Sequence, residues 1–190
     1  MNFLKTFAIF LLLPVLAAVV ATPFIYQKIK DTRISQRVFN DTRGKTKVDC
    51  DTGSNTTVIL ILGQSNSTNE GRGRYIPEGP VLNFNYIDGH CYLAQDPLLG
   101  ASGTGGSFAS RLGDKLVSLE NSRQVILVPL SVGASFIDDW APKGQLHERI
   151  FVLAEKLQQK DLIVTHILFH QGEADAGADT AWICDTMAAI

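Results

Sequence analysis

Apolar and polar positions fall into runs that change character along the chain. From Phe7 to Ala21 the residues are apolar without a break, and Thr22 to Tyr26 extend the run to about the 20 residues that span a bilayer. Residues 27–50 are polar and charged with no sustained period, which predicts a spacer. Val58 to Leu62 is a continuous aliphatic run, as expected of a strand buried on both faces of a parallel sheet. Residues 63–106 carry Gly71, Gly73, Pro77, Gly79, Pro80 and a glycine-rich stretch from Gly100 to Gly106. This predicts a long loop region, and long loops inside a domain are usually functional.

Periodicity returns at Ser107. That serine is placed to cap a helix running to Val117, with Phe108, Leu112 and Leu116 on one face. A strand is predicted over Val125 to Leu130. A second helix follows from about His147 to Gln159, with Ile150, Leu153, Ala154 and Leu157 inward, and a third strand over Leu162 to Phe169. Strand, helix, strand, helix, strand argues for a parallel α/β sheet. No internal repeat is visible.

Composition narrows the class. Of 190 residues, 45% are hydrophobic and 19% charged, which suits a folded domain and excludes disorder. A net charge of −2, with only a loose Lys28, Lys30, Arg33, Arg37 cluster, argues against a nucleic-acid partner. Residues 1–26 read as a cleaved signal peptide, with Val19-x-Ala21 as the cleavage site, or as a membrane anchor with Tyr26, Lys28 and Lys30 at the interface, with a buried helix of a soluble protein as the remaining alternative. In either of the first two cases the domain at 51–190 is expected to be exported, secreted if the N-terminal segment is cleaved and held at the membrane through that segment if it is not. Oligomeric state is open. Cys50, Cys91 and Cys184 make an odd count. Cys50 and Cys91 are candidates to pair around the serine-bearing segment, or all three are unrelated small apolar residues. No Cys-x-x-Cys or His/Cys cluster suggests a metal, and no cofactor is implied.

The candidate chemistry sits at the three strand ends: Gly63-Gln64-Ser65-Asn66, Ser131-Val132-Gly133-Ala134-Ser135 and Gln171-Gly172-Glu173. Ligands of open parallel sheets bind outside the carboxyl ends of the strands, so these turns should share one crevice. A serine at a tight strand-to-loop turn presents its hydroxyl beside exposed N–H groups, the arrangement acyl transfer needs. Ser65 is therefore the candidate nucleophile. Gly133, lacking a Cβ, can bring a backbone N–H close, and Gln171 can supply an amide donor.

These blocks resemble those of the SGNH-type hydrolases, specifically the sialate O-acetylesterase and carbohydrate acetylesterase branch. The matching pieces are Gly63 to Asn66 with Gly71-Arg72-Gly73, then Gly133 to Trp140, then His170 to Asp175, across about residues 57–176. The resemblance implies a flavodoxin-like three-layer α/β/α sandwich with a mostly parallel sheet. It also implies serine-dependent removal of O-acetyl groups from sialic acid or other glycans through an acyl-enzyme. By it Ser65 is the nucleophile, Gly133 and Gln171 line the oxyanion hole, and Gln64, Asn66, His170 and Glu173 face the carbohydrate substrate.

Two positions depart from the family pattern. Ala174 stands where relatives often have asparagine. The family's late Asp-x-x-His block has no counterpart here, so the chain is expected to be a truncated form of a working esterase, with the C-terminal part of the domain missing. A pseudoenzyme that binds carbohydrate without turnover, or an O-acyltransferase, are the alternatives.

Overall fold

The computed structural model describes residues 38–51, 53, 55–119 and 122–190. The apolar segment expected to be a signal or anchor lies outside the described residues. Among those described, no helix is long and apolar enough to cross a membrane.

Six strands of the described residues form one mixed sheet: β1 (Lys47–Val48), β2 (Thr56–Gly63), β3 (Val81–Asn85), β4 (His90–Leu93), β5 (Gln124–Pro129) and β6 (His166–His170). Their order is β1-β4-β3-β5-β2-β6. β3, β5, β2 and β6 run parallel, while β1 and β3 each pair antiparallel with β4. Among the described residues four α-helices accompany the sheet: α1 (Phe108–Ser118), α2 (Ile137–Trp140), α3 (His147–Gln158) and α4 (Thr180–Ala188). The class is α/β.

β2 and β5 are the aliphatic centre, and their register pairs Ile59 with Leu127 and Leu60 with Val128. Alternate residues point to opposite faces, and both faces are buried here, as the unbroken apolar runs require. Ile59, Ile61, Val125 and Leu127 join Val81, Ala94, Leu98 and Ala109 in one cluster. Burying a side chain of this size contributes about 1.5–3 kcal/mol.

α1 differs from its predicted face. Ser107 caps it as expected, its Oγ accepting from the Ala109 N–H at 3.2 Å. The side turned to the sheet, however, carries Ala109, Ser110 and Gly113, while Phe108 is exposed. The reason is close approach: a Cβ on Gly113 would meet Val81 Cγ1 at 2.8 Å. Small residues set the contact, and Leu116 and Val117 only flank it. α3 buries Leu153 and Leu157, whereas Ala154 faces solvent.

The stretch 63–106 holds the β3–β4 hairpin as well as loops. The hairpin's partly polar residues, Asn83, Asn85 and His90, hide the strand signal. The asparagines are buried and serve neighbouring backbone: Asn83 Oδ1 accepts from the Leu99 N–H at 2.6 Å. Asp96 does the same for the loops. Its buried carboxylate accepts from the Tyr75 and Ser107 N–H groups and the Ser110 hydroxyl.

Residues 38–50, expected to be a spacer, are tied to the sheet. Val38 bridges Ser102, β1 pairs with β4, and Cys50 is bonded to Cys91. Lys45 Nζ donates to the Gln95 and Pro97 carbonyls at 2.6 and 2.7 Å. Burial pushes this lysine down to about 8, against the opposing pull of Asp96. A cross-link over 41 residues contributes about 4 kcal/mol by loop-closure entropy.

Candidate active site

The carboxyl ends of β2, β5 and β6 are bonded to one another. Gly63 pairs with His170 across β2 and β6, and the Gln64 N–H donates to the His170 carbonyl at 2.9 Å. On the other side the Val132 N–H donates to the Gly63 carbonyl, also at 2.9 Å. Gly63 has a φ of 119°, and a Cβ there would fall 1.9 Å from the His170 carbonyl oxygen. Only glycine permits this junction. The three predicted turns therefore meet.

Ser65 opens a short 3-10 turn, Ser65–Ser67. Its carbonyl accepts from the Thr68 N–H and hydroxyl, while Ser67 donates through both its N–H and Oγ to the Gln64 carbonyl. The turn is thus held by its own serine and threonine hydroxyls. Ser65 is half-buried, and neither its Oγ nor its N–H has a hydrogen-bond partner among the described residues.

Asn66, Glu173 and His170 form a rim beside it. Glu173 Oε1 accepts from Asn66 Nδ2, and His170 Nε2 lies 2.9 Å from the same oxygen. The Asn66 amide, helped by the residue's own backbone N–H and by His170, holds the Glu173 carboxyl below its usual range.

Gln171 lies at the centre of a part-buried network. Its Nε2 donates to Gln64 Oε1 at 3.0 Å, to the Ser135 carbonyl at 2.8 Å and to Asp175 Oδ2 at 2.9 Å. Asp175 also accepts from the Ile137 N–H at the start of α2. Ser135 Oγ accepts from Trp140 Nε1 at 3.1 Å. Trp140 is fully buried and meets Phe169 edge-on, with ring centroids 6.3 Å apart. This network locks the second and third turns together behind the serine.

Gly133 is held from the opposite side. Its N–H donates to Ser102 Oγ at 2.7 Å. Ser102 in turn donates its N–H to the Ser131 carbonyl and accepts from the Asn69 N–H. Asn69 is fully buried and exchanges bonds with the Leu98 N–H and carbonyl. Next to Gly133, Ala134 has a φ of 57°, a strained region for a residue with a Cβ.

Gly133 and Gln171, expected as oxyanion donors, thus stand at the site with those N–H groups engaged. Ser102 and Asn69 are not singled out by the sequence, and Ser135 is marked there only as part of its turn. Each is a small polar residue in a loop, and only its burial marks its role. Of the four histidines, His170 alone sits at the carboxyl end of the sheet. His90 contacts the Gly89 carbonyl, His147 the Trp140 carbonyl and His166 the Thr165 hydroxyl.

Comparison with known proteins follows this geometry. Among solved structures, a protein from Arabidopsis thaliana determined at 1.6 Å is similar, with 18% identity and a TM-score of 0.48. The match covers 64% of this chain and 58% of that one, so the chain spans somewhat over half the length of this relative. No curated protein sequence matches. A family model described as carbohydrate esterase, sialic acid-specific acetylesterase matches residues 55–183, the whole stretch from β2 into α4. The chain belongs to this carbohydrate esterase family.

Proposed function

We propose that the chain removes O-acetyl groups from sialic acid or other glycans, with Ser65 as nucleophile and an acetyl-serine intermediate. One observation carries the reading: three strand ends bonded to one another meet at the turn that begins with Ser65, whose hydroxyl and N–H have no partner among the described residues. Ser65 Oγ attacks the acetyl carbonyl carbon, and the carbonyl electron pair moves to oxygen, where N–H donors hold it. Its return expels the sugar oxygen, which leaves with the proton given up by Ser65. Water then releases acetate.

Gly133 and Gln171 line the oxyanion side in this reading, and the Asn66, His170 and Glu173 rim faces the sugar. The parallel strands, with α1 packed against the sheet, suit the flavodoxin-like three-layer sandwich of SGNH-type hydrolases. The Cys50–Cys91 bond supports an exported location, since disulfides persist in oxidising compartments.

The test uses the purified chain with p-nitrophenyl acetate and with O-acetylated sialic acid. Ser65→Ala should reduce acetate release from both substrates to the rate without enzyme. Equal acetate release by both forms would remove Ser65 from the mechanism. Ser65 Oγ is bonded to none of the four histidines, which favours one second reading, a carbohydrate-binding protein without turnover. Saturable sugar binding with no Ser65-dependent release would select it.

A further inference from the structure

The two amides at the site, Gln64 and Gln171, have unambiguous orientations. The Ala174 backbone N–H lies 3.0 Å from one terminal atom of the Gln64 side chain. A backbone N–H can only donate, so that atom is the oxygen. Gln171 is fixed the opposite way. The atom facing the Ser135 carbonyl and the Asp175 carboxylate must be nitrogen, because both partners only accept. That nitrogen has two hydrogens and three acceptors within 3.0 Å. Gln171 is saturated inward.

Gln64 is the reverse. Its Oε1 is pinned by two donors, the Ala174 N–H and Gln171 Nε2. Its Nε2 then points away from both. The residue is only 3% exposed, yet this nitrogen has no hydrogen-bond partner among the described residues. A buried amide with two unmet N–H groups is costly unless something else accepts them. The residue next to it is Ser65, whose own N–H is also unengaged.

We propose that Gln64 is a catalytic residue: its Nε2 donates to the carbonyl oxygen of the ester that Ser65 attacks, and Gln171 is the positioning residue that aims it. This rests on the serine-esterase reading and reassigns the side-chain donor within it. Together with the Ser65 N–H, Gln64 makes a two-donor oxyanion site that leaves the bonds of Gly133 and Gln171 intact. The developing negative charge strengthens these bonds in the transition state, so the effect falls on kcat and little on KM.

Gln64→Glu is the discriminating variant. It keeps an oxygen for the Ala174 and Gln171 donors, removes the outward N–H groups and adds a buried carboxylate. Its kcat on p-nitrophenyl acetate should fall at least about a hundredfold with KM nearly unchanged, and the buried charge should lower the melting midpoint. Gln171→Met should lower kcat in the same direction without raising KM.

A second readout needs no turnover. In isotope-labelled Ser65→Ala protein, the side-chain amide signals of Gln64 should shift on titration with acetate, and Gln171→Met should abolish that shift. A Gln64→Glu protein that turns over at the parent rate would overturn the assignment. So would Gln64 signals that stay fixed while acetate binds. A parent chain no faster than Ser65→Ala would sink the esterase reading alone, and the acetate titration would still decide Gln64.

Discussion

The two borders of the sheet are built differently. At the β1–β4 border, antiparallel pairing, a disulfide and the Lys45 clamp hold the chain down, and β3 next to it is wholly buried. At the β6 border, Ile167 is 62% exposed and Ile163, just before the strand, 78%. α4 buries none of its residues. The candidate crevice lies between β5, β2 and β6, so one of its walls backs onto the anchored half and the other is the open border. Ser102 ties the Gly133 turn to the anchored half, through Val38, Asn69 and Ser131. His170 and Glu173 are held mainly by exposed contacts. Precision at this site should therefore be unequal on its two sides.

Substitution at the junction of the walls should have the largest effect on stability. Gly63→Ala forces a Cβ onto the His170 carbonyl and should cost more than about 4 kcal/mol, measured by urea unfolding. A smaller loss would mean that β6 yields easily, which would sharpen the contrast.

Removing the covalent tie by a Cys50→Ala, Cys91→Ala double change should cost about 4 kcal/mol. If the loss is confined to hydrogen exchange in β1 and β4, the anchored border does not support the crevice. Truncation of Phe84, fully buried on β3, should cost about 3–5 kcal/mol. Ile167→Ala on β6 should stay within about 0.5 kcal/mol. Equal losses at the two positions would erase the distinction.

The smallest effect concerns the rim. Glu173 has its folded carboxyl lowered, chiefly by Asn66. Its contribution is therefore present above the unfolded value of 4.5 and lost as pH falls through the folded one. Thermal midpoints of the parent and Glu173→Gln should differ slightly at neutral pH and converge in acid. Parallel profiles would show that the rim link does not form in solution.

The ends of β2 and β5 are readable in the residues because burial on both faces leaves an unbroken aliphatic run, as at Val58 to Leu62, whereas β6 is largely exposed and begins at His166, not at the predicted Leu162. The hairpin is not readable, because Asn83 and Asn85 are buried polar residues serving loop backbone. The face of α1 is misread for a related reason: Gly113 wins by fit against Val81, a contact periodicity cannot weigh. At the site, residue types point to Gly133 and Gln171 as donors. Which N–H groups are already engaged depends on partners such as Ser102 and Ser135, far apart in the chain.

The bond between Cys50 and Cys91 also closes a ring that contains the Ser65 turn and the exposed loop carrying Arg72 and Arg74. A trypsin nick at either arginine would leave the pieces joined. Such a cleaved molecule would run as one band on a denaturing gel without reductant and as two with it.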